Sequence, residues 1–165
     1  MSEQAKGLGA RGSGQSSEQP VLLSGPSPKP QAPSPCIHVM AGVLFDSSGR
    51  VLIAQRPPGK HMAGGWEFPG GKLMAGEAPF DGLRRELQEE IGIAVIAATP
   101  IISYEHPFAD RSVFLDLWWV SEFTGTPQSL EGQALQFAAI DDLERIGLLE
   151  ADKPMIPALR SIGRR

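Results

Sequence analysis

The acidic residues in the stretch 70–93 offer the clearest chemistry in this chain. A proline near its middle suits a first helical turn, and a later glycine suits the position after a helix end, so we predict a helix over Pro79–Ile91. At about 100° per residue, Glu86, Glu89 and Glu90 fall on one side of that helix. Carboxylates this close repel one another unless they bind cations, and oxygen ligands favour Mg²⁺ or Mn²⁺. The spacing therefore indicates a divalent metal site that bridges to phosphate oxygens.

The plainer interpretation of the same residues is a solvated acidic helix face. Arg85 and Glu89 stand four residues apart and could pair on such a face. However, the neighbouring side of the helix carries an apolar stripe that must pack against a core, which would place the carboxylates at the edge of that core. The stripe consists of Phe80, Leu83, Leu87 and Ile91.

A longer pattern around the helix favours the metal site. The stretch reproduces every position of the Nudix box, and the chain resembles a Nudix hydrolase over about residues 36–159. The order of an arginine, a His-Met pair and the string Glu-Phe-Pro-Gly-Gly-Lys ahead of the helix is similar to that in the MutT branch of the family, the oxidised-nucleotide diphosphatases. The box positions are Gly71, Glu77, Arg85, Glu86, Leu87, Glu89, Glu90, Gly92 and Ile93.

The resemblance implies roles for the acidic residues. Arg85 would orient the glutamates, and Glu131, in a Glu-Gly-Gln string after a polar loop, would approach the metal from a separate loop. Water would attack phosphorus with one carboxylate as general base, and both Glu86 and Glu131 are candidates for that base. The implied ligands of Mg²⁺, with Mn²⁺ as the alternative, are the Gly70 carbonyl, Glu86, Glu89, Glu90 and Glu131.

The resemblance also implies a substrate site. Arg56 and His61 would serve the phosphates, whereas Phe68 and Arg111 would lie near the nucleobase. Asp152 stands where the MutT branch usually has an asparagine that pairs with the base. Because an ionised aspartate only accepts hydrogen bonds, this departure favours donors on the base edge, unless burial keeps the carboxyl protonated.

The resemblance to the MutT branch implies hydrolysis of an oxidised purine nucleoside triphosphate such as 8-oxo-dGTP, which is the leading hypothesis. The products would be the nucleoside monophosphate and pyrophosphate, and damaged bases would be kept out of DNA. A second possibility in the same class is another nucleoside diphosphate derivative, such as an ordinary dNTP or ADP-ribose. A possibility in a different class is a catalytically silent nucleotide sensor, but a sensor has no need for the whole set of glutamates.

The resemblance also implies the fold class, an α/β protein with the Nudix fold, in which a mixed β-sheet is sandwiched between helices. The Asp-Ser-Ser-Gly string between the first two apolar runs is typical of a hairpin. Trp118 and Trp119 are interpreted as core residues. We predict strands over Ile37–Phe45, Val51–Gln55, Ile93–Tyr104 and Val113–Phe123, and helices over Asp141–Ile146 and Lys153–Ile162.

Length and charge limit the class of protein. The 165 residues, 41% of them hydrophobic, suffice for one domain, which we place at residues 36–165. A net charge of −4 argues against stable nucleic-acid binding, and no apolar run is long enough to span a membrane. The single cysteine, Cys36, is interpreted as a small buried residue, which fits a reducing cytoplasm. We therefore expect a cytoplasmic monomer that binds a nucleotide.

Residues 1–35 are dominated by Gly, Ser, Pro and Gln and are predicted to be a disordered tail. Deleting residues 1–34 should leave the melting temperature and the turnover number nearly unchanged, because such a segment cannot bury enough apolar surface to offset its ordering entropy. Thermal unfolding and steady-state kinetics of the truncated chain check this. A clear fall in activity at equal folded protein would indicate that the apolar cluster at residues 21–23 docks on the domain.

Overall fold

Two β-sheets form the centre of the described part of the chain. The computed structural model describes residues 36–162, so the predicted disordered tail lies outside the described residues. The four-stranded sheet has the order β4-β1-β6-β5, with β1 and β6 parallel and the other pairs antiparallel. The three-stranded sheet has the order β3-β2-β7 and is antiparallel. The strands are β1 Cys36–Val43, β2 Val51–Gln55, β3 Trp66–Glu67, β4 Gly70–Lys72, β5 Ala94–Pro107, β6 Ser112–Thr124 and β7 Leu135–Ala138.

Helices cover the sheets from two sides, as predicted for this fold class. Successive strand residues point to opposite faces, so Met40 packs with Leu87 in one core, whereas Ala41 packs with Leu159 in the other. The first core lies under α1, and the second lies under the C-terminal helices. The helices are α1 Pro79–Ile91, α2 Leu143–Ile146 and α3 Ile156–Ile162, with short 3₁₀ turns at Ile140–Asp142 and Lys153–Met155.

Helix α1 has the bounds that its end signals predict. Its proline lies in the first turn, and Gly92 ends the helix with a φ of 71°, in the left-handed region that favours glycine. Leu83, Leu87 and Ile91 are fully buried, which confirms the predicted apolar stripe. The stripe fixes the rotation of the helix and thereby directs its carboxylates towards β4.

Three predictions about the strands need correction. The first two strands share only the end of a hairpin, where Phe45 bridges Val51, and then enter different sheets. Cys36 is exposed rather than buried, because it begins β1 at the end of the sheet. Trp118 is partly buried and packs against the core under α1, as interpreted, whereas Trp119 is partly buried without packing against either core. In addition, the sequence pattern did not reveal β3, β4 or β7.

Candidate active site

A cavity of about 440 Å³ gathers most of the predicted site residues. Arg85 and Glu89 are the predicted residues that do not line it. The cavity lies against β1 and β4, and its wall includes carboxylates, basic side chains and apolar strand residues such as Val39 and Leu115. The predicted residues that line it are Arg56, His61, Phe68, Gly70, Glu86, Glu90, Arg111, Glu131 and Asp152.

Two glycines let the helix carboxylates approach the backbone of β4. The Gly70 amide donates to Glu90 Oε2 at 2.7 Å. A Cβ at Gly71 would lie 2.0 Å from Glu86 Oε2, so any side chain there would displace this carboxylate. The Gly-Gly pair therefore sets the distance between strand and helix at which both carboxylates reach the cavity.

Arg85 fixes the carboxylates without lining the cavity. Its Nε and Nη2 donate to the two oxygens of Glu77 at 2.8 and 2.9 Å, and its Nη1 donates to Glu86 Oε1 at 2.6 Å. The hydrogen bonds from Arg85 lower the pKa of Glu77 to about 2. Glu89 lies 3.4 Å from Nη1, and its side chain is 59% exposed. Arg85 therefore restrains Glu77 and Glu86 together, and its orienting role in the reaction stays a prediction.

Four glutamates that line the cavity, Glu67, Glu86, Glu90 and Glu131, form what we call the acidic wall, and Glu90 is strongly desolvated within it. Burial, together with the nearby charges of Glu67 and Glu131, raises its pKa to about 7. A divalent cation would relieve this crowding, and the donors fit a hard ion because all of them are oxygens. Within residues 36–162, however, no three His, Cys, Asp or Glu side chains form a ready metal-binding group. The Gly70 amide and nearby basic side chains hold the carboxylates instead.

A buried glutamine attaches the loop of Glu131 to α1. Gln133 is 5% exposed, and its amide nitrogen donates to the Glu90 carbonyl at 2.9 Å. Its amide oxygen accepts hydrogen bonds from the Glu131 amide at 3.0 Å and from the Ser129 hydroxyl at 2.9 Å. Gln133 therefore fixes the backbone of Glu131 relative to Glu90, although the two lie far apart in the sequence.

Arg56 is held from two sides at the cavity wall. Its Nε donates to Glu67 Oε2 at 2.8 Å, and its Nη1 donates to the His61 carbonyl at 2.7 Å. Burial raises the pKa of Glu67, whereas the Arg56 charge opposes that rise. Arg111, on the other side of the cavity, pairs with Asp110 at 3.0 Å and lies 5.6 Å from the centre of the Phe108 ring.

Asp152 is a buried carboxyl at the cavity wall, and its Oδ2 accepts a hydrogen bond from the Phe68 amide at 3.3 Å. Burial, reinforced by the charge of Glu67, raises its pKa to about 7. The preceding carbonyl, of Ala151, accepts a hydrogen bond from the Tyr104 hydroxyl. This carboxyl can thus donate a hydrogen bond when protonated and can only accept one when ionised.

The pKa of Asp152 predicts a pH dependence of stability. A carboxyl whose pKa is higher in the folded than in the unfolded state stabilises the fold at low pH, and that stability is lost as the pH rises through the folded value. Relative to Asp152→Asn, the wild-type chain should therefore lose free energy of unfolding between about pH 4 and pH 7, and no further above that. Urea unfolding across this range checks the prediction. Parallel curves for the two proteins would contradict it.

A family model for the NUDIX domain matches residues 40–158. The chain belongs to the Nudix hydrolase family. An 8-oxo-dGTP diphosphatase of Proteus vulgaris is 49% identical over 87 residues, which are 53% of this chain and 78% of the relative. A CTP pyrophosphohydrolase of Escherichia coli (strain K12) is 35% identical over 126 residues, which are 76% of this chain and 93% of the relative.

Solved structures agree with the Nudix assignment. One reported for MutT from Aliivibrio salmonicida and Vibrio cholerae superposes with a TM-score of 0.67 at 35% identity, and the match covers 78% of this chain and 99% of that one. The predicted fold class is thereby confirmed. Nudix hydrolases generally need a divalent metal ion. No helix among residues 36–162 is both long and apolar enough to cross a membrane.

Sequence reasoning missed several residues of the Nudix site. Glu67 was seen only as part of a family string, yet it lines the cavity and holds Arg56. Gln133 appeared only as part of the Glu-Gly-Gln string, and no role was predicted for Lys60. The one available signal was proximity to site residues in the sequence, because the roles of these side chains depend on contacts between distant segments.

Proposed function

We propose that this Nudix hydrolase converts an oxidised purine nucleoside triphosphate of the 8-oxo-dGTP type to the nucleoside monophosphate and pyrophosphate, and so keeps damaged bases out of DNA. The observation that carries the proposal is that one cavity holds both the acidic wall and the buried Asp152. The acidic wall suits a metal-bound polyphosphate, and the buried Asp152 suits a polar base edge. The names of the relatives support the same substrate class.

The proposed metal ion is Mg²⁺, with Mn²⁺ as the alternative. When bound, it would neutralise charge on the phosphates and lower the pKa of an attacking water. Glu89 belongs to the proposed ligand set because of its box position, and its exposed side chain has a long contact of 3.4 Å with Arg85. The residues proposed to hold the ion are Gly70 through its carbonyl, Glu86, Glu89, Glu90 and Glu131.

The chain's own residues would position the substrate and move one proton. Arg56 and His61 are proposed to contact phosphate oxygens, while Phe68, Arg111 and Asp152 hold the base. Either Glu86 or Glu131 would take the proton of the attacking water. Arg85 restrains Glu86 at 2.6 Å, whereas Glu131 is about half exposed, so the two candidates differ in freedom to reorient. Comparing the pH–rate profiles of Glu86→Gln and Glu131→Gln would identify the base.

A second candidate is a pyrimidine nucleoside triphosphate. It is favoured by the CTP pyrophosphohydrolase relative, which matches a larger share of this chain than the Proteus relative does. A panel containing 8-oxo-dGTP, dGTP, CTP and ADP-ribose, assayed with Mg²⁺, separates these candidates by kcat/KM. Absence of turnover on all of them would favour the silent sensor.

We also propose that the protein is a cytoplasmic monomer.

The position of bond cleavage gives a sharper test. In the proposed pose, Phe68, Arg111 and Asp152 hold the base, and Arg56 contacts the phosphates. The glutamates then meet the outer phosphates, and water is positioned to attack the β-phosphorus. Hydrolysis of 8-oxo-dGTP in ¹⁸O-water is then expected to label pyrophosphate and leave the monophosphate unlabelled, as measured by mass spectrometry. Label in the monophosphate would place the attack at the α-phosphorus. Release of inorganic phosphate would mean a different bond is cut, and either result would contradict the proposed pose.

A further inference from the structure

Lys60 lines the cavity from the loop between β2 and β3. The loop is closed at its base, where the Arg56 amide donates to the Gly65 carbonyl and the Gly64 amide donates to the Arg56 carbonyl, both at 2.9 Å. Within it, the Lys60 amide donates to the Pro57 carbonyl at 3.3 Å. The backbone of Lys60 is therefore fixed beside the cavity, while its side chain is 58% exposed.

The ammonium group of Lys60 pairs with Glu131 across the cavity edge. Nζ lies 3.0 Å from Glu131 Oε2, and the Glu131 side chain is 47% exposed. Ion pairs this exposed contribute little to stability and are easily exchanged for other partners. Arg56 differs, because the less exposed Glu67 and a backbone carbonyl both hold it. Lys60 is thus better suited than Arg56 to leave its glutamate partner for another anion.

Binding of a metal-bound nucleotide would give Lys60 a new partner. Glu131 is a proposed ligand of the ion, and a carboxylate that ligates a cation no longer neutralises Lys60. A polyphosphate brings several negative oxygens to the same wall, where an ammonium group binds them as a point charge. We propose that Lys60 is a polyphosphate-binding residue, which Glu131 holds in the substrate-free protein and releases to the substrate. This inference rests on the proposed function.

A purely structural role for the ion pair makes the opposite prediction. If Lys60 only tied its loop to that of Glu131, removing either partner would loosen both loops and weaken binding alike. If Glu131 competes with phosphate for Lys60, removing the Glu131 charge should strengthen anion binding when no metal is present. The two variants Lys60→Met and Glu131→Gln therefore separate the roles by the sign of their effects.

The experiment is isothermal titration of the full chain with inorganic tripolyphosphate and with 8-oxo-dGMP, both in EDTA. Lys60→Met should weaken tripolyphosphate binding at least ~10-fold, as expected for one lost charge-assisted contact, and should change the monophosphate affinity by less than about 2-fold. Lys60→Arg should restore most of the loss. Glu131→Gln should bind tripolyphosphate more tightly than the wild type. Lys153→Met is the matched control, because this lysine pairs with Glu150 and does not line the cavity.

Two results would overturn the role of Lys60. One is tripolyphosphate binding that is unaffected by Lys60→Met or absent from the wild type, and the other is the lack of any gain in tripolyphosphate affinity in Glu131→Gln. Failure of the proposed function is distinguishable from both. It would appear as a wild-type protein that hydrolyses no nucleotide of the panel but still binds tripolyphosphate through Lys60.

Discussion

Replacing Glu90 by Gln is expected to lower kcat/KM for 8-oxo-dGTP at least ~10²-fold at saturating Mg²⁺, because the exchange removes one charged ligand from the proposed metal site. The fold should survive. A glutamine oxygen can still accept the hydrogen bond from the Gly70 amide, and the lost charge is one that burial already disfavours, as its raised pKa shows. The measurements are steady-state kinetics over a range of Mg²⁺ concentrations and thermal unfolding.

Glu122→Gln is the matched control for this change. It removes the same charge from an exposed position of β6, outside the cavity, and should leave both activity and melting temperature close to those of the wild type. Near-normal turnover of Glu90→Gln at saturating Mg²⁺ would remove Glu90 from the metal site. A large fall in its melting temperature would instead assign Glu90 a structural role through its contact with β4.

Asp152→Ala is expected to reduce the preference for 8-oxo-dGTP over dGTP by about 1–3 kcal/mol, or roughly 5- to 150-fold, and to affect dGTP hydrolysis less. Oxidation at C8 gives the base an N7–H donor where guanine has an acceptor, and a carboxylate discriminates between these two groups. Asp152 can read the base edge because it is buried at the cavity wall and anchored by the Phe68 amide. The ratio of kcat/KM values for the two nucleotides measures the effect.

Two controls separate base reading from general damage to the site. Asp142→Ala makes the same change at a side chain that is 45% exposed and should leave the preference unchanged. Asp152→Asn restores the amide usual in the MutT branch, so it should retain more of the preference than the alanine variant does. An unchanged preference in Asp152→Ala would show that the residue does not contact the base.

Local signals explain which parts of the fold were predictable. The bounds of α1 follow from a proline, a glycine and a 3.6-residue apolar period, all of which lie within the helix or beside it. Strands β3 and β4 comprise only two and three residues, and they become strands through pairing with β2 and β1. Apolar runs predicted β1 and β2 themselves, but alternation along a strand carries no information about which sheet the strand joins.

The site residues also fall into two groups, those that local sequence signals indicated and those that depend on contacts between distant segments. The box glutamates were recognisable because their spacing on one helix is a property of the sequence itself. The link from Gln133 to the Glu90 carbonyl and the pair between Lys60 and Glu131 join segments 43 and 71 residues apart. No local pattern encodes such contacts, so the sequence indicated the residues of the box, including Arg85, better than it indicated the residues of other segments that contact them.

The parallel pairing of β1 with β6 has a consequence for folding. Cys36 pairs with Ser112 and Val43 with Trp119, so the centre of the larger sheet cannot form until the chain has extended past β6. Closing so long a loop costs entropy before any contact repays it, whereas α1 and its flanking turns can form early from local contacts. Until β6 arrives, one edge of β1 presents unpaired backbone groups, which are a template for pairing with other chains. We therefore expect the chain to be open to aggregation in the interval between synthesis of β1 and synthesis of β6.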